Sequence, residues 1–252
     1  MLRTRVIPCL LLRNRGLVKT IGFRQPKYVG DPINSVKIFN EKEVDELVLL
    51  DIAASRMDAL PDEDLLADIV SEAFMPIAYG GGIGSLDQAR RLARLGIEKI
   101  IVNSAALRDS AIVSAIADQL GTSSTVVSID VSRDWLGRAR VFDAVAGRRL
   151  SLDPVEHARA MAARGAGEIF LNSVERDGAG RGLDLALIEA VSAAVPVPVI
   201  ACGGAASLAH LREGANAGAA AIAAGSMFVY MGPHRAVMIN YPDYGALERL
   251  FA

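Results

Sequence analysis

The sequence has 252 residues, of which 52% are hydrophobic and 22% are charged, as is typical of a soluble globular protein with a large core. A formal net charge of -2 argues against nucleic acid as a partner. No apolar run reaches the roughly 20 residues of a membrane span, and the amino-terminal run is too short for a secretory signal. We therefore expect a cytoplasmic protein without a membrane partner.

Short apolar runs recur along the whole chain and predict eight buried strands. Each is nearly continuous in apolar character, which is typical of a parallel sheet covered on both faces. The predicted strands span 5–12, 46–51, 75–80, 98–103, 125–130, 168–173, 197–202 and 220–225.

The segments between these strands are amphipathic and predict helices. The segment 85–96 begins with a serine N-cap and ends with glycine, and 153–167 begins with Asp153 followed by Pro154. Eight regular alternations predict a closed (β/α)₈ TIM barrel, formed by residues 1–252 as one domain. An open doubly wound sheet is the alternative.

The two halves of the sequence repeat each other without gaps. The stretch "PIAYGGGIGSLDQARRLARLGIEKIIVNS" begins at Pro76, and "PVIACGGAASLAHLREGANAGAAAIAAGS" begins at Pro198. The alignment superposes Gly81 and Gly82 on Gly203 and Gly204, Ser85 on Ser207, Gly96 on Gly218, and Ser104 on Ser226. A duplicated half-barrel explains this pattern, and the general similarity of βα units is the simpler alternative.

Glycine-rich loops follow the third and seventh strands and predict anion binding. Loops at the carboxyl ends of barrel strands form the active face, and glycines let backbone N–H groups approach an anion at a helix start. Each half of the barrel then offers one such glycine-rich anion-binding loop, which we call a cradle. Two cradles suit a ligand with a phosphate at both ends. The alternative is that the glycines serve only the geometry of ordinary turns. The candidates are Gly82, Asn103, Ser104, Gly178, Gly203, Gly204 and Ser226, with Lys19 in the loop after the first strand as a counter-charge.

Three acidic residues are expected on the same face: Asp51, Asp130 and Asp177. A carboxylate at the end of an apolar strand is partly desolvated, so its pKa can suit general acid or base catalysis. Capping of a loop is the alternative. Cys9 and Cys202 lie in apolar runs and are interpreted as buried side chains rather than a disulfide. No cluster has metal-ligand spacing, and no cofactor is expected.

These stretches together carry a family resemblance. The matching segments are "IPCL", "VGDP", "DELVLLDI", "GGGI", "VVSID", "GEIFLNSVERDG", "PVIACGG" and "AAGSMF", which occur in order along nearly the whole chain. The sequence thereby resembles the cyclase subunit of imidazole glycerol phosphate synthase, the HisF family. The resemblance implies a (β/α)₈ barrel that receives ammonia from a HisH-like glutaminase and binds a bis-phosphorylated aminoimidazole-ribonucleotide precursor.

The resemblance also implies roles for individual residues. Asp130 matches one of the family's two catalytic aspartates, and Asp177 is our second catalytic candidate. The family's other catalytic aspartate belongs in "IPCLDV", where this sequence reads "IPCLLL" and has Leu11. Leucine cannot exchange a proton, and a general acid–base residue typically contributes a factor of about 10²–10⁴, so cyclase activity is expected to be lost. The positions that match the family's phosphate-binding residues are Gly82, Asn103, Gly178, Gly204, Gly225 and Ser226.

Further segments resemble one branch of cyclase-like proteins. The marks of that branch are "IPCLLL", "KYVGDPINSVKIFNEKEVDEL" and "GPHRAVMINYP". The branch is associated with sugar amidation in bacterial surface polysaccharides such as lipopolysaccharide. Its members work with a HisH-like glutaminase and a separate sugar amidotransferase, which convert an acetamido group of a nucleotide-linked sugar to an acetamidino group.

Charged residues occupy four predicted strand starts: Arg5, Glu46, Lys99 and Glu168. Unpaired charges inside a barrel are costly, so a balanced set of two cations and two anions is expected to pair. Four separately solvated strand starts are the alternative. These positions match the charged gate through which the family passes ammonia, and Glu98 beside them is a predicted contact for the glutaminase.

Three functional hypotheses remain open from the sequence. The first is a non-cyclising subunit that channels ammonia to a sugar amidotransferase. The second is a histidine-pathway cyclase in which the lost aspartate is compensated. The third is a different sugar-phosphate isomerase or lyase on the same duplicated barrel.

Overall fold

The computed structural model describes residues 4–232 and 234–252. Eight parallel strands each pair with the next, and the eighth pairs with the first, so the sheet closes into a barrel. The TIM-barrel prediction is confirmed, and the open doubly wound sheet is wrong. The barrel strands are β1 (Arg5–Arg13), β2 (Leu47–Asp51), β3 (Ile77–Gly80), β4 (Lys99–Val102), β5 (Thr125–Arg133), β6 (Glu168–Ser173), β7 (Val199–Cys202) and β8 (Ala221–Ala224).

Helices alternate with the strands and cover the outside of the barrel. The predicted helix 85–96 has its capping residues at those ends, because Ser85 accepts from the Gln88 N–H and Gly96 adopts a φ of 103°. The predicted helix 153–167 is shorter, since left-handed Gly165 follows its last turn. The helices are α1 (Pro32–Glu41), α2 (Glu63–Glu72), α3 (Leu86–Leu95), α4 (Ser104–Arg108), α5 (Ala111–Leu120), α6 (Pro154–Ala163), α7 (Leu185–Ser192), α8 (Leu208–Asn216), α9 (Ser226–Val229) and α10 (Tyr244–Phe251), with short 3₁₀ turns at Ala54–Arg56 and Thr122–Ser124.

Antiparallel hairpins extend two barrel strands beyond their predicted ends. β1 continues to Arg13 because its end pairs with the strand Gly16–Ile21, which in turn pairs with Arg24–Gly30. β5 continues to Arg133 because it pairs with Ala139–Asp143, which pairs with Arg148–Arg149. A third hairpin joins Tyr230–Met231 to Ala236–Val237. The first two hairpins stand at the carboxyl-terminal end of the barrel, because they continue from the ends of barrel strands.

The core has two parts, which explains why the strands read as continuous apolar runs. Alternate residues of a strand point to opposite faces. On β1, Val6, Leu10 and Leu12 pack towards the helices, whereas Ile7 and Cys9 belong to a separate cluster inside the barrel. The other buried members of this lumen cluster are Val48, Ala78, Ile101, Val126, Phe170, Ile200, Ala221 and Ala223.

Candidate functional site

A pocket lies at the carboxyl ends of the barrel strands, where the hairpins and loops surround it. It collects residues from loops that are far apart in sequence, as the barrel topology dictates. The roof is formed partly by Phe23 and Val145, from the hairpins after β1 and β5. Every predicted phosphate-binding residue and both predicted catalytic residues line this pocket: Gly82, Asn103, Ser104, Gly178, Gly203, Gly204, Gly225, Ser226, Lys19, Asp130 and Asp177.

The first cradle, after β3, has a backbone that requires glycine. Gly81 and Gly82 adopt φ values of 122° and 71°, which side-chain-bearing residues rarely reach. A Cβ atom on Gly82 would lie 2.7 Å from the carbonyl oxygen of Ala59. The Gly82 N–H donates to the hydroxyl of Ser55 at 3.1 Å, so Ser55 joins the cradle as a residue that the sequence did not indicate.

The second cradle, after β7, repeats this geometry as the internal repeat predicts. Gly203 and Gly204 have φ values of 93° and 108°. A Cβ atom on Gly203 would lie 2.6 Å from the Ser173 carbonyl oxygen, and one on Gly204 would clash with the carbonyl oxygen of Gly182. In both cradles a neighbouring backbone carbonyl thus lies where a side chain would begin, so only glycine allows this left-handed turn beside the pocket.

Crystals grown in high inorganic phosphate are expected to show one ion near Gly82 and Asn103 and another near Gly204 and Ser226. Gly204→Ala should abolish the second ion and keep the first, because its Cβ collides with Gly182 in a left-handed conformation. Gly137→Ala is the control, since Gly137 is also left-handed but has no neighbour within 4 Å of such a Cβ. If both cradles of the unaltered protein are blocked by side chains and hold no ion, the assignment of the two loops as phosphate-binding sites is wrong.

The sequence analysis placed Lys19 in a loop, which is wrong. Lys19 lies in the strand Gly16–Ile21. The antiparallel hairpin after β1 was not recognised, because its second strand is polar and exposed. The Lys19 Nζ atom donates to the Cys9 carbonyl oxygen at 2.5 Å and lies against Gly225. Burial lowers the pKa of this lysine. Its position still suits a counter-charge beside the second cradle.

Asp130 is buried at the end of the lumen and is held by two amides. Its carboxylate accepts from Asn103 Nδ2 at 2.8 Å and from Asn172 Nδ2 at 3.3 Å. Burial raises the pKa of Asp130 to about 7, although the two amide hydrogen bonds oppose the shift. Asn172 is opposite Asp130 in the β5–β6 register, so pairing these two strands would have indicated this contact.

The other two acids of this face differ from each other. Asp177 accepts from the Thr20 hydroxyl at 2.9 Å, and burial raises the pKa of its carboxyl. Asp51 Oδ1 accepts from the N–H groups of Ala53 and Ala54 at 2.9 and 3.0 Å. Asp51 therefore caps a loop, the alternative considered for strand-end acids, whereas Asp130 and Asp177 could exchange protons with a ligand.

Stability is expected to fall as the pH rises from about 4 to about 7. In the unfolded chain Asp130 loses its proton near the ordinary aspartate pKa of 3.8, whereas in the folded chain it keeps its proton up to about pH 7. Between these pH values the folded chain therefore binds more protons than the unfolded chain, so the free energy of unfolding falls as the pH rises. A difference of this size corresponds to about 4 kcal/mol. The free energy of unfolding, measured with urea at pH 4.5 and at pH 8, should differ less between the two pH values for Asp130→Asn than for the unaltered protein. An identical pH dependence in the two proteins would contradict this account.

The four charged strand starts form a closed ring at the opposite end of the barrel. Arg5 donates to Glu46 Oε2 and Glu168 Oε1 at 2.5 Å each, and Lys99 Nζ lies 2.9 Å from Glu46 Oε2 and Glu168 Oε2. The glutamate side chains are only 4% and 11% exposed. The alternative of four separately solvated strand starts is therefore wrong. Glu98, beside the ring, is exposed.

Comparison with known proteins identifies the family. The sequence profile described as "Histidine biosynthesis protein" matches residues 5–234. A Pseudomonas aeruginosa protein named "Putative imidazole glycerol phosphate synthase subunit hisF2" is 52% identical over 249 residues, which cover 98% of this chain and 99% of that protein. The chain belongs to the HisF family.

Other HisF proteins are similar over comparable lengths. A Leptospira interrogans protein named "Putative imidazole glycerol phosphate synthase subunit HisF" is 45% identical over 253 residues, the full length of both chains. A Vibrio vulnificus protein named "Putative imidazole glycerol phosphate synthase subunit hisF3" is 45% identical over 248 residues, covering 96% of this chain and 94% of that protein.

The pocket of this HisF protein has an apolar wall at the end of β1. Leu11 lines it and is paired in register with Leu50 of β2. Cys9 and Cys202 also line the pocket as free cysteines, and Cys202 is only partly buried, so the prediction of two buried thiols holds fully for Cys9 alone. Leu11 and Leu50 themselves supply no group that can exchange a proton.

Residues 4–232 and 234–252 also bear on metal binding and on membrane insertion. In that part of the chain, no three His, Cys, Asp or Glu side chains come together in a group that could hold a metal ion. Within the same residues, no helix combines the length and apolar character that crossing a bilayer requires.

Proposed function

We propose that this HisF-family chain binds a HisH-like glutaminase at the amino-terminal end of its barrel and passes ammonia through the lumen to a sugar amidotransferase. The amidotransferase then converts an acetamido group of a sugar to an acetamidino group. The observation that carries the proposal is the combination of an intact charged ring below an apolar lumen with Leu11 at the catalytic strand end.

The ring and the lumen suit a small neutral molecule. Two cations and two anions balance in the ring, so an ammonium ion would add an uncompensated charge there, whereas ammonia would not. Beyond the ring, Ile7, Val48, Ile101 and Val126 line an apolar interior. A bare ion is disfavoured in such surroundings by far more than a neutral molecule. The lumen is thus selective for the form of nitrogen that acts as a nucleophile.

The pocket above the lumen supports a second element of the proposal, a phosphorylated ligand. The two glycine cradles lie on opposite halves of the barrel, and Lys19 stands beside the second cradle. We propose that a small phosphorylated molecule binds across them. Asp130, between the lumen and the cradles, is the group placed to exchange a proton with ammonia or with this ligand.

A cyclase of imidazole glycerol phosphate synthase type is the second candidate. The names of the relatives favour it, as do Asp130, Asp177 and both cradles. Leu11 is the observation against it, because cyclisation would have to proceed without the proton exchange that the family assigns to that position. The third hypothesis, a sugar-phosphate isomerase or lyase, is supported by the two phosphate-binding cradles alone.

The test is reconstitution with labelled glutamine. The chain is co-purified with candidate HisH-like glutaminases, and the complex is supplied with amide-¹⁵N glutamine, the sugar amidotransferase and its nucleotide-linked sugar. We expect a stable complex and ¹⁵N in the amidated sugar. A complex that instead cyclises the histidine-pathway precursor, and leaves the sugar unlabelled, would establish the second candidate.

A further inference from the structure

Large apolar side chains are exposed on the pocket side of the barrel. Trp135 is 87% exposed, and its neighbour Leu136 is exposed as well. We call these two residues, in the hairpin turn after β5, the tip surface. Exposed apolar side chains on a hairpin that lines a functional pocket suit a protein–protein contact, and tryptophan is enriched among residues that dominate such contacts.

Hydrogen bonds order the backbone of the hairpin turn that carries Trp135. Asp134 Oδ1 accepts from the N–H groups of Leu136 and Arg138 at 2.9 Å each, and the Asp134 N–H donates to the Arg138 carbonyl oxygen at 2.9 Å. Trp135 therefore sits in a turn closed from both sides. An aromatic side chain on an ordered backbone has only two rotatable bonds to immobilise on binding, so it loses little conformational entropy, as an anchor residue should.

The hairpin that carries Trp135 has an excess of basic residues. The segment 133–149 contains five arginines and two aspartates, and three of the arginines pair with acidic side chains, Arg133 with Asp184 and both Arg138 and Arg140 with Asp134. The whole chain, in contrast, has 27 basic and 29 acidic residues. Arg149 donates to neutral acceptors, the Ser132 hydroxyl and the Arg133 carbonyl, so its charge is available to a partner. The complementary partner surface is acidic around an apolar centre.

The tip surface is connected to the roof of the pocket. Phe142, on the same hairpin as Trp135, packs edge-to-face on Phe23 with ring centroids 6.3 Å apart. Arg56, next to Met57, donates from Nε to the Ala144 carbonyl oxygen at 3.1 Å. A protein that binds the tip surface would thus contact the segments that cover the pocket, at the end of the barrel where ammonia would leave.

We propose that the tip surface is the docking site of the enzyme that consumes the ammonia, through an acidic surface with an apolar centre. This inference rests on the proposed function. A barrel that does not itself consume the ammonia must release it to another enzyme at the carboxyl-terminal end, where the pocket lies. Docking there places the acceptor site over the pocket, so the ammonia need not cross bulk water.

The test compares two exposed aromatic side chains at opposite ends of the barrel. Phe74, in the connection before β3, is 89% exposed, and its N–H donates to Asn40 Oδ1 at 2.9 Å. Binding of the purified sugar amidotransferase to Trp135→Ser and to Phe74→Ser is measured by calorimetry, with circular dichroism to confirm folding. We expect at least a tenfold loss of affinity for Trp135→Ser and less than a twofold change for Phe74→Ser. Binding of the unaltered chain should also weaken as salt is added.

Three outcomes would overturn the inference. Unchanged amidotransferase affinity in Trp135→Ser would remove the tip surface as the docking site while leaving the proposed function in place. A dimer of the unaltered chain that dissociates on Trp135→Ser would show that a second copy occupies the surface. If the unaltered chain, bound to its glutaminase, binds no amidotransferase, the proposed function fails together with the inference.

Discussion

Replacing Lys99 with alanine is expected to reduce glutamine-dependent amidation at least tenfold in the reconstituted complex, whereas amidation with added ammonia falls by less than twofold. Lys99 joins Glu46 to Glu168 in the ring, and its side chain is 17% exposed. Without it, each carboxylate keeps only its contact to Arg5. The loss of one partner of a buried ion pair typically costs about 3–5 kcal/mol, so the ring should rearrange or admit water and ions. Added ammonia reaches the acceptor enzyme without crossing the ring.

The Lys99 experiment has controls within the same chain. Lys37→Ala removes a half-exposed lysine whose ion pair with Glu72 joins two outer helices, and it should leave both activities unchanged. Lys99→Arg keeps the charge and should retain more glutamine-dependent activity than Lys99→Ala. The measurements are product ¹⁵N content, glutaminase binding and the free energy of unfolding. Equal losses with glutamine and with added ammonia, in a folded chain that still binds its glutaminase, would show that Lys99 does not act as a gate.

The barrel could be predicted because its strands and helices carry strong local signals. A parallel strand buried on both faces reads as an apolar run, and the caps at Ser85, Gly96 and Asp153 mark helix ends independently of the rest of the fold. The second hairpin strand, Arg24–Gly30, has no such signal, since its residues are polar and largely exposed. It is held by pairing with Gly16–Ile21, which depends on tertiary structure, and Lys19 was therefore misplaced.

The candidate site was predictable as a set of residues but not as a set of contacts. Closure of the barrel brings strand ends together, so the sequence could assign Asp130 and the glycines to one face. It could not show that Asn172 donates to Asp130, because that contact depends on the relative register of β5 and β6. Likewise, the ring was expected from charge balance, but the sharing of Glu46 Oε2 between Arg5 and Lys99 appears only in three dimensions.

The unaltered chain is expected to cyclise the bis-phosphorylated histidine-pathway precursor, supplied with ammonia, at least a hundredfold more slowly than a HisF cyclase that has the catalytic aspartate on β1. Proton transfer by a positioned side chain contributes about 10²–10⁴ in rate. Leu11 contributes none, and its register partner Leu50 cannot replace it. Asp130 remains as one acid–base group, since its pKa near 7 lets it act in both protonation states at neutral pH.

Leu11→Asp should recover part of this activity, and Leu11→Asn should not. Aspartate and asparagine have nearly the same size and polarity, so they alter the pocket wall equally, but only aspartate exchanges a proton. Recovery should be incomplete, because apolar neighbours such as Leu50 raise the pKa of a carboxyl placed there. The measurement is single-turnover cyclisation at saturating ammonia. Turnover by the unaltered chain within tenfold of an ordinary cyclase would mean that another group replaces the aspartate, and the chain would then be a histidine-pathway enzyme rather than an ammonia channel for another reaction.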